Sequence, residues 1–146
     1  MISTVLYANE PKEHKHLPYK VSASLLQSID SDAILLGSGE KVLYVFIDPL
    51  CPHSRKFISM VYKNPIMLSK YQYHFFLYSI PRLKSTDVVS AIYLSNNPIE
   101  TLLKVMIDEK ILYEKGNALT KAKVNRIRTV AQEIDVYKRP YIFIVK

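Results

Sequence analysis

The single cysteine of this chain, Cys51, opens the run Cys51-Pro52-His53-Ser54. A thiol does chemistry as the thiolate. The residues around Cys51 read as a helix start, which presents unpaired backbone N–H groups and the positive end of the helix dipole to an anion. Pro52 suits the first helical position, where its missing N–H is not needed. His53, Arg55 and Lys56 add positive potential near the sulfur, and Ser54 is placed to donate a hydroxyl hydrogen bond to it. Asp48, just upstream, can tune proton transfer or cap the turn, and the capping role is the expectation. The chemistry such a group offers is nucleophilic attack on sulfur.

Other reactive side chains form no comparable group. His14 and His16 fall in a polar stretch with no carboxylate or thiol to complete a metal site. His74 falls inside a strand pattern and reads as a packed residue. Asp108 and Glu109 read as the solvated face of a helix. No metal site is expected.

The elements that must position Cys51 follow from the hydrophobic pattern. Lys41–Ile47 is a continuous apolar run rich in β-branched and aromatic residues, as a central strand covered on both faces would be. It stops at Asp48-Pro49. A helix over Pro52–Tyr62, with Phe57, Met60 and Val61 on one face, leads to a strand over Tyr71–Ile80. These three make a βαβ unit. A short helix over Ser22–Ile29 and a strand over Ala33–Gly37 precede it. Beyond it, the spacing predicts a helix capped by Ser85 and running to Ser95. A second starts at Asn97-Pro98-Ile99-Glu100 and buries Ile99, Leu102, Leu103, Met106 and Ile107. A third runs over Thr120–Asp135 with Ile127, Val130, Ala131 and Ile134 inward. Arg139-Pro140 precedes a last strand, Tyr141–Val145.

At 146 residues and 49% hydrophobic, the chain is sized for one domain with a single core. One cysteine excludes an intrachain disulfide framework. No stretch approaches the roughly 18 apolar residues that span a bilayer, and Met1–Tyr7 lacks the layout of a signal peptide. The net charge is +7, with a loose basic stretch from Lys115 to Arg128. That stretch reads as the solvated face of a helix; its functional alternative is attraction to an acidic partner or surface. No zinc spacing or RNA-binding signature accompanies it, so no nucleic-acid partner is expected.

The segment Val45-Phe46-Ile47-Asp48-Pro49-Leu50-Cys51-Pro52-His53-Ser54 resembles the active-site segment of thioredoxin-fold thiol-disulfide oxidoreductases. It is most similar to the catalytic domain of bacterial disulfide isomerases of the DsbC/DsbG type. Phe76-Leu77-Tyr78-Ser79-Ile80-Pro81-Arg82 resembles the strand and turn after the active-site helix. Arg139-Pro140-Tyr141-Ile142-Phe143-Ile144 resembles the cis-proline loop and its strand. The resemblance implies an α/β fold: a central mixed sheet flanked by helices, with a helical insertion over about 85–135. Residues 1–20 would be a leader or an added strand, and 21–146 the thioredoxin-like domain. It implies that Cys51 is the nucleophile, that Pro140 is cis across from it, and that Arg139 offers its backbone to an extended substrate. It also implies cysteine-containing protein substrates, a thiol reductase partner and a periplasmic location, with a cytoplasmic one left open.

Ser54 stands where this family has its second cysteine. A monothiol can form a mixed disulfide, but another thiol must resolve it. No cofactor is needed, and glutathione is a candidate thiol partner. The expected function is disulfide-isomerase-like monothiol exchange through Cys51. The alternatives are a redox-inactive thioredoxin-like binding module, an engineered Cys-to-Ser trapping variant of a dithiol enzyme, and glutathione-dependent transferase chemistry. The family fold continues past the cis-proline strand, so Tyr141–Val145 is expected to be an edge. Met1–Ala8, or a second copy in a homodimer, is expected to add to it.

Overall fold

The computed structural model describes residues 14–146. Its elements in chain order are α1 (Tyr19–Ser28), β1 (Ile34–Leu36), β2 (Lys41–Ile47), α2 (Pro52–Tyr62), α3 (Pro65–Lys70), β3 (Tyr71–Leu77), α4 (Thr86–Leu94), α5 (Pro98–Met106), α6 (Ala118–Glu133) and β4 (Tyr141–Ile144). The strands form one sheet in the order β1-β3-β2-β4. β2 and β3 run parallel, with Lys41 opposite Tyr71 and Ile47 opposite Leu77. β1 is antiparallel to β3, and β4 is antiparallel to β2. The sheet is mixed and helices flank it, as expected.

β2 lies inside, and every residue from Leu43 to Ile47 is buried. A strand flanked by strands and covered on both faces has no solvent side, which is why its sequence is a run rather than an alternation. One face carries Tyr44, Phe46 and Phe143, with Tyr19 of α1 stacked on Phe143 at 5.4 Å. The opposite face carries Leu43, Val45 and Tyr73, with Phe57 of α2 edge-on to Tyr73 at 6.1 Å. Distant segments are also tied together. Buried Asp32 accepts two bonds from the Arg126 guanidinium, at 2.8 and 2.9 Å, joining the approach to β1 to α6.

Several boundaries differ from expectation for local reasons. α1 begins at Tyr19, inside the span read as leader, because Pro18 sets the entry and its carbonyl accepts from Val21 and Ser22. On α2 the buried stripe is Ser54, Ile58 and Val61, while Met60 faces solvent. β3 stops at Leu77, where the ladder with β2 ends. Ser85 does not cap α4; its hydroxyl turns to Asp48. α5 ends at Met106, and 107–116 is non-helical, so Asp108 and Glu109 lie beyond that helix. α6 starts at Ala118, with Asn117 and Thr120 as a reciprocal capping box. The short α3 had no expectation; Asn64 caps it through Ile66 and Met67. The strand read over Met1–Ala8 lies outside the described residues.

Candidate functional site

β2 delivers the chain to Asp48, Pro49 and Leu50, and α2 departs from Cys51. Cys51 is the N-cap residue, with extended backbone (φ −77°, ψ 124°) and Pro52 at the first helical position. Its carbonyl accepts the first helical bond, from Arg55 N–H at 2.9 Å. The thiol therefore sits at the positive end of an 11-residue helix.

Across from it, the Arg139–Pro140 peptide is cis. The Arg139 carbonyl lies 3.9 Å from Cys51 Sγ, so the thiol can donate a weak hydrogen bond to it. The structure thus brings Cys51 and the Arg139-Pro140 loop together from 88 positions apart. Cys51 is only 2% exposed, while Pro52 and His53 face solvent.

Ser54 is fully buried, one turn into α2. Its Oγ accepts from Asp48 N–H at 3.2 Å. Among the described residues no bond joins it to Cys51, so the expected donation to sulfur is absent in this state. Ser54 instead holds the β2–α2 turn closed.

Asp48 has the structural role. One carboxylate oxygen accepts from Leu50 N–H at 2.8 Å; the other accepts from Ile80 N–H at 2.6 Å and Ser85 Oγ–H at 2.9 Å. Those bonds tie the end of β2 to the segment leaving β3. A buried carboxylate needs such donors to offset its lost hydration.

The side chain of Arg139 turns inward. Nε donates to Tyr78 O at 2.9 Å and a terminal N–H donates to Ser79 O at 3.1 Å, with the guanidinium 4.0 Å over the Tyr78 ring. Burial lowers the pKa of this guanidinium below its ordinary value, while Tyr78, Asp48 and Cys51 act in the opposite sense. Arg139 therefore fastens the cis-proline loop to the segment after β3. Sequence reasoning named Arg139 for its backbone and gave no sign of this contact, which spans 61 positions. Arg55 likewise braces the turn, donating to Pro49 O at 3.1 Å and reaching Glu109 at 3.4 Å.

The remaining candidates lie apart from this site. His74 is buried in β3 between Asp30 (2.6 Å) and Gln72 (2.8 Å). His14 pairs with Asp135 at 3.1 Å and stacks on Tyr137 at 3.7 Å. Among the described residues no three His, Cys, Asp or Glu side chains gather as a metal site, and no helix is long and apolar enough to cross a membrane.

No family model and no curated protein matches the chain. Solved structures do resemble it. DsbG of Helicobacter pylori superposes with a TM-score of 0.65 at 18% identity, covering 86% of this chain and 61% of that one. This chain thus spans less than two thirds of that protein's length. The catalytic domain of Proteus mirabilis ScsC gives 0.58 at 15% identity, over 87% of this chain and 86% of that one. A disulfide interchange protein from Neisseria gonorrhoeae gives 0.59 at 16% identity, over 77% and 79%. These matches, with the βαβ unit, the cis Arg139–Pro140 bond and the intervening helices, establish a thioredoxin-like α/β fold of the kind seen in DsbG and ScsC.

Proposed function

We propose that this chain is a monothiol thiol-disulfide exchange protein, isomerase-like, acting through Cys51 on cysteine-containing proteins. The supporting observation is the placement of Cys51 Sγ at the N-cap of α2, 3.9 Å from the carbonyl that precedes cis Pro140. In the reaction the Cys51 thiolate attacks one sulfur of a substrate disulfide. A Cys51–substrate S–S bond forms, the original S–S bond breaks, and the other sulfur leaves as a thiolate. Ser54 occupies the position from which a second cysteine would attack. Release therefore needs an outside thiol, either another substrate cysteine, glutathione or a thiol reductase. His53, exposed beside the sulfur, adds positive potential when protonated, and Pro52 starts the helix. Arg139 and Pro140 present backbone to an extended peptide.

A periplasmic setting fits this chemistry, since disulfides persist there; the structures it resembles include a periplasmic thioredoxin-like protein from Salmonella enterica, at 12% identity. Pairing of two copies through β4 would cover Ile142 and Ile144, which are 44% and 59% exposed on that edge.

A second reading, a redox-inactive binding module on the same fold, draws on the near-complete burial of Cys51. One experiment separates the two. Incubation with oxidised glutathione, followed by intact-mass measurement, is expected to add one glutathionyl group to the protein and none to Cys51→Ala. A protein that stays unmodified while folded, and reacts only after denaturation, would overturn the exchange reading in favour of the binding module.

A further inference from the structure

A cleft lies away from Cys51, between α4 and α6. It has a volume of about 440 Å³ and is walled by Thr86 and Ser90 on α4, by Lys121, Asn125 and Arg128 on α6, and by Lys115. A second hollow of about 320 Å³ shares Thr86, Val124 and Arg128 with it and reaches Tyr78 and Ser79. The carbonyls of Tyr78 and Ser79 accept from the Arg139 guanidinium. Together the two hollows, which share Thr86, Val124 and Arg128, form a trough along α4 and α6.

The chemistry of the trough is cationic with a buried polar wall. Three cations, Lys115, Lys121 and Arg128, line it against one carboxylate, Asp87. Ser90 is 5% exposed and lines the cleft. It faces the backbone of Gly116, where a Cβ would lie 3.0 Å from Ser90 Oγ and 2.6 Å from Thr120 Oγ1. Glycine at this place keeps the hydroxyl open to the trough.

We propose that this trough is a binding site for an acidic, extended peptide segment, and that it selects the substrates of Cys51. The selection rests on the exchange reading above; the binding itself does not. Spacing favours a peptide over a small anion. Lys121 and Arg128 stand two turns apart on α6, about 10 Å along its axis. An extended peptide covers that distance in about three residues, at roughly 3.3 Å each. Two carboxylates separated by one or two residues can then meet both cations, while Ser90 donates to a carboxylate or main-chain carbonyl between them. The site adds attraction between unlike charges that is screened by salt.

The test uses the Cys51→Ala protein, so thiol chemistry plays no part, and a fluorescent eight-residue peptide of alternating Asp and Glu with Gly and Ser, lacking cysteine. Anisotropy is expected to show saturable binding that weakens about tenfold or more in Lys121→Glu/Arg128→Glu, and that weakens as salt rises. A milder pair, Lys121→Gln/Arg128→Gln, is expected to fall between. Equal binding of a peptide with Lys in place of every acid would overturn the proposal, as would binding unchanged by either pair. Competition by inorganic phosphate at the same concentration as the peptide would mark a small-anion site and overturn the peptide assignment. Failure of glutathione to modify Cys51 would leave the binding result standing and remove only its link to exchange.

Discussion

Asp48 and Ser54 show how little of the catalytic-looking motif is free to do chemistry. Both are fully buried, and both are spent on holding the β2–α2 turn. Asp48→Ala removes one acceptor from three donors, leaving Leu50 N–H, Ile80 N–H and the Ser85 hydroxyl unpaired. Denaturant unfolding is expected to show a loss of about 3 kcal/mol; a loss below about 1 kcal/mol would mean that water replaces the carboxylate without cost. Tyr73 is the opposite case. Its ring is fully buried in the core, its hydroxyl has no partner among the described residues, and burial raises its pKa. Tyr73→Phe discards an unsatisfied polar atom and keeps the ring, so stability is expected to hold or rise by about 1 kcal/mol. A clear fall in the melting temperature would reveal a partner for that hydroxyl. The position of Cys51 was legible because a β-rich run, a helix-start proline and the thiol are adjacent in sequence. The grip of Arg139 on Tyr78 and Ser79 was not, since nothing local marks two carbonyls some sixty positions away.

At the scale of elements, β2 and α2 were readable to the residue, because an apolar run and a proline start bound them sharply. The ends that escaped are those set by tertiary bonds. α6 was expected to reach Asp135, yet it ends at Glu133 in a Schellman-type turn. Val136 N–H bonds Ala131 O at 2.8 Å and Asp135 N–H bonds Gln132 O at 3.3 Å. Asp135 itself takes the left-handed conformation, φ 60°, where glycine or asparagine is the usual signal. Its carboxylate then accepts from Lys15 N–H at 2.8 Å and pairs with His14, anchoring the segment before α1. The Lys15 N–H, followed by His14, lowers the Asp135 pKa. A carboxylate with a lowered folded-state pKa contributes its stability above the ordinary aspartate range and loses it as pH falls through the lowered value. Asp135→Asn tolerates the same backbone conformation and removes the charge. The stability gap between the two proteins is therefore expected to be open at neutral pH and to close on acidification below the ordinary aspartate range. A gap that stays constant down to about pH 2 would show that the anchored segment draws nothing from the ionised carboxylate.

For the whole molecule, the two halves of the site come from two neighbouring strands of one sheet, far apart in sequence. Parallel β2 and β3 place Cys51 at the carboxyl end of β2, and antiparallel β4 brings Pro140 back to the same end. The order of elements could be read from hydrophobic periodicity, and the thioredoxin-like fold from the resemblance of the segments around Cys51 and Pro140 to a known family. The strand order and the trough between α4 and α6 could not, because both depend on how helices pack rather than on where they lie in the chain. The basic stretch from Lys115 to Arg128 shows this most plainly. Read along the sequence it is a solvated helix face; in three dimensions two of its cations, Lys121 and Arg128, line one cleft with Thr86 and Ser90 of α4.

In the proposed exchange, Cys51 forms a mixed disulfide that this chain does not resolve alone, because Ser54 stands where a second cysteine would attack. The direct measurement is the lifetime of the Cys51–glutathione adduct by intact mass, in the protein and in Ser54→Cys, after the excess glutathione disulfide is removed. The adduct is expected to persist in the protein until a thiol is added. In Ser54→Cys it is expected to disappear without added thiol. The introduced thiol attacks Cys51 Sγ, glutathione leaves as the thiolate, and an intramolecular disulfide remains, with a mass two hydrogens below that of the reduced variant. An adduct that never forms, or one that the protein sheds unaided as fast as Ser54→Cys does, would rule out monothiol exchange through Cys51.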